Sequence, residues 1–331
     1  MPSRPRPTRP VALLALALLA RGAGAQSPPA LLREFARLEP HAGGVLGVAA
    51  VHLESGRTVA YKGDDQFPLA STYKVPIAVQ ALTLAQQGTL DLERMVPWDT
   101  TDLHLGSEAF LLFRKPGFAL SVRNMLETML ILSENNSTDW MLRLAGGGAA
   151  VTQRLRAAGI TDLRVDRPTA EIIAHPYGIR DIWTDGRFDR AKWERQRAAL
   201  SPARVDSVPY YYARDPRDTG SPRAMLQLLT KLWKGELLDA AHTATLLDIM
   251  YRCETGGARI KGMLPPGTRV AHKTGTYPGT TNDVGIIDLP DGTHLALAVY
   301  IKESSKVAGA ALEETIAHVA RATYDYFLYA R

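Results

Sequence analysis

Cysteine is almost missing. Cys253 is the only one in 331 residues, so an intrachain disulfide is excluded. The residue is then either a small buried apolar side chain or a link between chains. Histidines are few and scattered. There are eight, with no His-Glu-x-x-His and no pair at ligand spacing, so no metal and no other cofactor is expected. Long apolar runs are missing beyond the first 25 residues, and no repeat or low-complexity tract occurs. Charge of one sign is also scarce. The formal net charge is +5, but Arg4, Arg6, Arg9 and Arg21 supply four of those five charges from a segment expected to be removed. The rest is close to neutral, which excludes a basic face for nucleic acid.

The N-terminus itself is informative. Three arginines without an acid precede the apolar run Val11–Ala20, and Ala23-Gly24-Ala25 follows. This is the pattern of a secretory signal peptide over 1–25, cut before Gln26. The run is short for a membrane span, which needs about 20 residues. A secreted or periplasmic protein, off the membrane after cleavage and expected to be monomeric, follows. At 46% apolar residues, the remainder can bury a real core.

Periodicity places the elements. A helix is predicted over 28–38, then a hairpin from 47–53 and 57–62 turning at Ser55-Gly56. Helices follow over 72–87, after the cap Ser121, over 138–144, after Ser221-Pro222 and over 239–251. Strands return over 269–273, 284–289 and 294–301, and an amphipathic helix covers 308–329. The fold class is α/β of the α+β kind, an antiparallel sheet built from both chain ends and flanked by helices, with an all-helical subdomain inserted. The expected division is 26–68 with 258–331 for the α/β subdomain and 69–257 for the helical one. Residues 176–217 stand apart as an insertion rich in Arg, Asp, Tyr and Trp. They read as a solvated excursion packed by its aromatics, or as a flap over a site.

Three short motifs carry chemistry. Ser71-Thr72-Tyr73-Lys74 at a helix start puts Ser71 and Lys74 on one face, where an amine can take the hydroxyl proton. Ser133-Glu134-Asn135 ends a buried helix; its serine can pass a proton to a leaving nitrogen and its asparagine can bind an amide carbonyl. Lys273-Thr274-Gly275-Thr276 leaves a strand, offering charge and hydroxyls to a carboxylate and a glycine for close approach. Each alone is equally a surface helix start, a helix end or a strand exit.

Together, in this order, the three resemble the signature of class A β-lactamases and penicillin-binding proteins. Phe67-Pro68-Leu69-Ala70, Leu105-Gly106-Ser107, Asn136-Ser137-Thr138-Asp139, Thr255-Gly256-Gly257 and Pro290-Asp291-Gly292 extend the resemblance over residues 32–329. It implies that Ser71 is acylated by a small-molecule β-lactam, that Lys74 accepts its proton and that Ser133 relays a proton to the lactam nitrogen. Asn135 would hold the acylamide group. Lys273, Thr274, Gly275 and Thr276 would bind the carboxylate, and the N–H groups of Ser71 and Thr276 would form the oxyanion hole. Val284 stands where many members carry an arginine, and Arg259 matches the alternative position.

The chain departs from the family at two places. Glu134 replaces an aspartate. More seriously, the loop reads Asp166-Arg167-Pro168-Thr169-Ala170-Glu171-Ile172-Ile173, so that Thr169 and Ile173 stand where the family's deacylating Glu and water-holding Asn belong. Glu171 is the candidate substitute, or else a loop-stabilising carboxylate paired with Arg167 or a neighbour. β-Lactam hydrolysis leads. A D-Ala-D-Ala peptidase or other serine amidase or esterase, with slow or absent lactam deacylation, is the alternative, and a non-catalytic lactam sensor is the third reading.

Overall fold

The structure, a computed structural model, describes residues 1, 29–98, 105, 110, 113 and 117–329. The expected leader and the Gly106-Ser107 part of the resemblance lie outside these residues. A five-stranded antiparallel sheet runs in the spatial order Thr58–Tyr61, Val45–His52, His294–Lys302, Thr280–Asp288, Val270–Tyr277. Strands from both chain ends thus lie side by side, as the element order implies. The Lys273-Thr274-Gly275 strand is an edge.

Helices cover both faces of the sheet, and strand alternation divides the side chains between them. Leu46, Val48 and Ala50, with Leu295, Leu297, Val299 and Ile301, meet the terminal helices Pro29–Ala42 and Gly309–Tyr329. Ala49 and Val51, with Ala296, Ala298 and Tyr300, face the other way, into the core shared with the central helices. Burial on both faces makes these strands near-continuous apolar runs. Phe35, Leu38 and Ile316 are fully or nearly fully buried in the outer layer, each contributing roughly 1.5–3 kcal/mol of apolar burial.

Most helix ends obey local rules. Ser121 Oγ accepts the Asn124 N–H, Ser221 Oγ the Ala224 N–H, and Asp239 the His242 N–H. Two expectations need correction. The helix expected over 72–87 is a 3-10 turn at Ala70–Tyr73 followed by an α-helix at Lys74–Gln86. The strand expected to end at Lys273 runs on to Tyr277, so the Lys-Thr-Gly motif lies inside it. The 176–217 segment is ordered: a small hairpin, Trp183–Thr184 with Arg187–Phe188, precedes the helices Arg190–Ala198, Pro202–Asp206 and Val208–Ala213.

Candidate active site

The nucleophile motif sits on a strained elbow. Ala70 has φ +45°, a left-handed conformation costly for a residue with a Cβ. The 3-10 turn then stacks Ser71 over Lys74, because residues three apart eclipse at three per turn. From Phe67 to Thr83 every residue is buried except Ser71, which is partly exposed. Three distant elements hold this elbow. Asn282, fully buried, donates to Pro68 O and Leu69 O at 2.9 and 3.1 Å. Tyr212 Oη accepts the Ala70 N–H at 3.1 Å. Gly275 lies against the turn so closely that a Cβ there would meet Leu69 O at 2.7 Å and Ser71 N at 3.2 Å. The glycine is therefore required for the approach of strand to elbow, rather than for substrate alone.

The Lys74 amine is fully buried. It donates to Ser133 O at 2.7 Å, Asn135 Oδ1 at 2.8 Å and Ser133 Oγ at 3.2 Å. Burial, then the Lys273 charge, push its pKa well below the ordinary lysine value, while Glu134 and Asp139 oppose them. An amine so placed can lose its proton and act as a base. Ser133 adopts φ +59° between two helices, which turns both its oxygens toward Lys74. Glu134 replaces an aspartate without loss of the local job. Its carboxylate caps the helix Asn135–Leu144 by accepting the N–H groups of Asn136 and Ser137.

Lys273 is fully buried and donates to Thr274 O at 3.0 Å. Burial first, with the Arg259 charge, lowers its pKa to about 8 against the pull of Cys253 and Asp283. Arg259 is buried as well. It donates to Gly275 O and Asn282 O, to Thr276 Oγ1 at 2.7 Å, and to Glu313 at 3.1 Å. It therefore braces the edge strand.

Ser71, Tyr73, Asn135, Thr169, Ile172, Ile173, Tyr212 and Thr276 share one cavity of about 690 Å³. Among the described residues, none of those lining it is a carboxylate. Glu171 points elsewhere. On the short helix Thr169–Ala174 its Oε1 accepts the Trp183 indole N–H at 3.1 Å, and Oε2 lies 3.9 Å from His175. Burial and nearby arginines hold His175 at about 4, so it is neutral near pH 7. Thr169 does line the cavity. Its Oγ1 bonds Tyr73 Oη at 2.5 Å and its N–H reaches Asp139. Arg167 pairs with Asp218 and Asp215 instead of Glu171. A second cavity of about 670 Å³, lined by Trp98, Trp140, Trp183 and Phe188, contains none of the three motifs' nucleophile, lysines or serine.

Sequence reasoning missed Asn282 and the role of Tyr212. Thr281-Asn282-Asp283 is a polar run in what proves to be a buried strand. Such groups must find partners, which is the signal that could have found it.

Comparison with known proteins matches residues 30–327 to the model of the beta-lactamase enzyme family. Beta-lactamase SME-1 of Serratia marcescens is 29% identical over 294 residues, 88% of this chain and 87% of that protein. The carbapenem-hydrolyzing beta-lactamase KPC of Klebsiella oxytoca is 29% identical over 282 residues, 82% of this chain and 80% of that one. Among solved structures, a beta-lactamase from Chitinophaga pinensis superposes with a TM-score of 0.73 at 30% identity, covering 90% of this chain and 99% of that one. An ancestral class A beta-lactamase gives 0.72 at 32%, covering 90% and 100%.

Proposed function

The chain belongs to the beta-lactamase enzyme family as a serine β-lactamase-like hydrolase, and from that membership we propose that it opens β-lactam rings through a long-lived acyl-enzyme on Ser71. Ser71 Oγ attacks the lactam carbonyl and Lys74 takes its proton. The C–N bond breaks, and Ser133 Oγ passes a proton to the departing nitrogen. The N–H groups of Ser71 and Thr276 face the developing oxyanion. Asn135 meets the acylamide group, and Lys273, Thr274 and Thr276, braced by Arg259, take the carboxylate. The leader expected over 1–25 supports export to the periplasm, where the protein is expected to act as single chains.

The observation that carries the slow second half is the cavity lining. No carboxylate among the described residues lines the cavity that holds Ser71, so among those residues a deacylating water finds no carboxylate base there. Loss of a general base costs about 10²–10⁴ in rate. Mixing the protein with a chromogenic cephalosporin is expected to give a stoichiometric burst and a persistent adduct in intact-protein mass spectrometry. Fast steady turnover with no adduct would overturn slow deacylation; neither burst nor adduct would overturn lactam chemistry. The same missing base favours a second reading, cleavage of a D-Ala-D-Ala peptide, for which a peptidase assay is the check.

Lys273 also sets a pH dependence. It is a cation below its pKa of about 8 and neutral above. Affinity for a carboxylate-bearing lactam is therefore expected to fall as pH rises through about 8. An uncharged ester substrate should show no such fall. A KM that stays flat from pH 7 to 9 for the carboxylate substrate would remove Lys273 from that role.

A further inference from the structure

A second buried polar cluster lies behind the Lys273-Thr274-Gly275 strand, and the mechanism above leaves it unused. Strand alternation puts His272 and Thr274 on the face opposite Lys273. His272 and Asp283 are both fully buried. His272 Nδ1 lies 3.0 and 3.1 Å from the two Asp283 oxygens, and Asp283 Oδ2 also accepts the Ile260 N–H. The facing position is Gly285, where a Cβ would meet Ala271 O at 2.4 Å and His272 Cβ at 2.6 Å. Only glycine lets the two strands lie this close at His272. With Nδ1 on the carboxylate, the other ring nitrogen, Nε2, is buried and has no hydrogen-bond partner among the described residues.

The Cys253 thiol is the ionisable neighbour on that side. Burial works against both charges. Asp283 nevertheless raises His272 to about 9, and His272 with Lys273 lowers Cys253 to about 6. Geometry then links the sulfur to Thr274 of the third motif. Cys253 Sγ is 3.4 Å from Thr255 Oγ1, which is 2.6 Å from Thr274 Oγ1. Cys253 sits just after the helix Ala240–Tyr251, only 6% exposed, between the exposed Arg252 and Glu254. A reagent as small as a hydroperoxide suits such a position; a bulky one does not.

We propose that Cys253 is an oxidation site for small hydroperoxides, and that its modification weakens the grip of Thr274 on the substrate carboxylate. The thiolate sulfur attacks one peroxide oxygen. The S–O bond forms as the O–O bond breaks, sulfur losing two electrons and the peroxide gaining them. The departing hydroxide takes the His272 Nε2 proton and leaves as water, and the cysteine becomes a sulfenic acid. The added oxygen lies in the Cys253–Thr255–Thr274 chain and reorients the Thr274 hydroxyl.

The test uses the full mature chain treated with hydrogen peroxide, then with dimedone, and read by peptide mass spectrometry. The folded protein is expected to carry the dimedone adduct on Cys253. Peroxide alone is expected to lower kcat/KM for a carboxylate-bearing cephalosporin about tenfold, the worth of one hydrogen bond to a charged group. Dithiothreitol should restore it. Cys253→Ala should keep its own activity through the same treatment, which separates the effect from methionine oxidation. An adduct that forms only in urea overturns the site. An adduct in the folded protein with unchanged kcat/KM overturns its coupling to Thr274. The coupling rests on the lactam reading, but the adduct does not. A protein inert to lactams before oxidation would sink that reading while the mass spectrum still decides the thiol.

Discussion

Ser71→Ala is expected to abolish both the burst and the mass adduct, with turnover falling by at least about 10⁴-fold. The reason is local. Ser71 is the only partly exposed residue in a buried stretch, set on a strained turn above the Lys74 amine. A carbonyl entering the cavity meets this hydroxyl with the Lys74 amine one 3-10 turn behind it and Ser133 hydrogen-bonded to that amine. The substitution removes one oxygen from a partly exposed position and should leave stability within about 0.5 kcal/mol. Intact melting behaviour with lost acylation would isolate the chemistry. Retained acylation of the variant would show that another nucleophile does the work.

Arg167→Met is expected to have the largest effect on stability. The Arg167 guanidinium is 4% exposed and pairs with Asp218 at 2.6 Å and Asp215 at 2.9 Å. Asp218 is itself 2% exposed. It accepts the N–H groups of Asp166 and Arg167, and its own carbonyl accepts the Leu69 N–H ahead of the nucleophile. Burial already pushes Asp218 above the ordinary carboxylate value, and Arg167 is the main opposing influence. Removing the cation leaves a buried carboxylate that must either stay charged alone or take up a proton. Breaking such a pair costs about 3–5 kcal/mol, a fall in Tm on the order of 10 °C for a domain of this size. The loss should be larger at pH 8 than at pH 5, where Asp218 protonates more readily in the variant. Adding Asp218→Asn should recover part of it. A change under about 2 °C would mean that the network is not holding the loop.

The fold was largely legible because its signals are short-ranged. Ser121, Ser221 and Asp239 cap helices through N–H groups three residues on, and the sheet strands show themselves by β-rich apolar runs. The three motifs were legible for the same reason: each is spelled within three or four consecutive positions. The 3-10 form of the nucleophile turn was not legible, since an α-helix and a 3-10 helix share the same spacing over one turn. The continuation of the edge strand past Lys273 was hidden by glycine and threonine, which read as an exit.

What the sequence by itself determined is the order of the elements, the three motifs and the absence of glutamate at position 169. The direction in which Glu171 points was decided only by the tertiary structure, because a six-residue helix has no face of its own. Trp183, twelve positions on, captures its carboxylate. The elbow likewise depends on Tyr212 and Asn282, 142 and 213 positions from the atoms they hold. Hydrogen bonds over such separations leave no periodicity in a chain. They arise because burying the elbow's backbone N–H and C=O groups is tolerable only if packing brings partners to them.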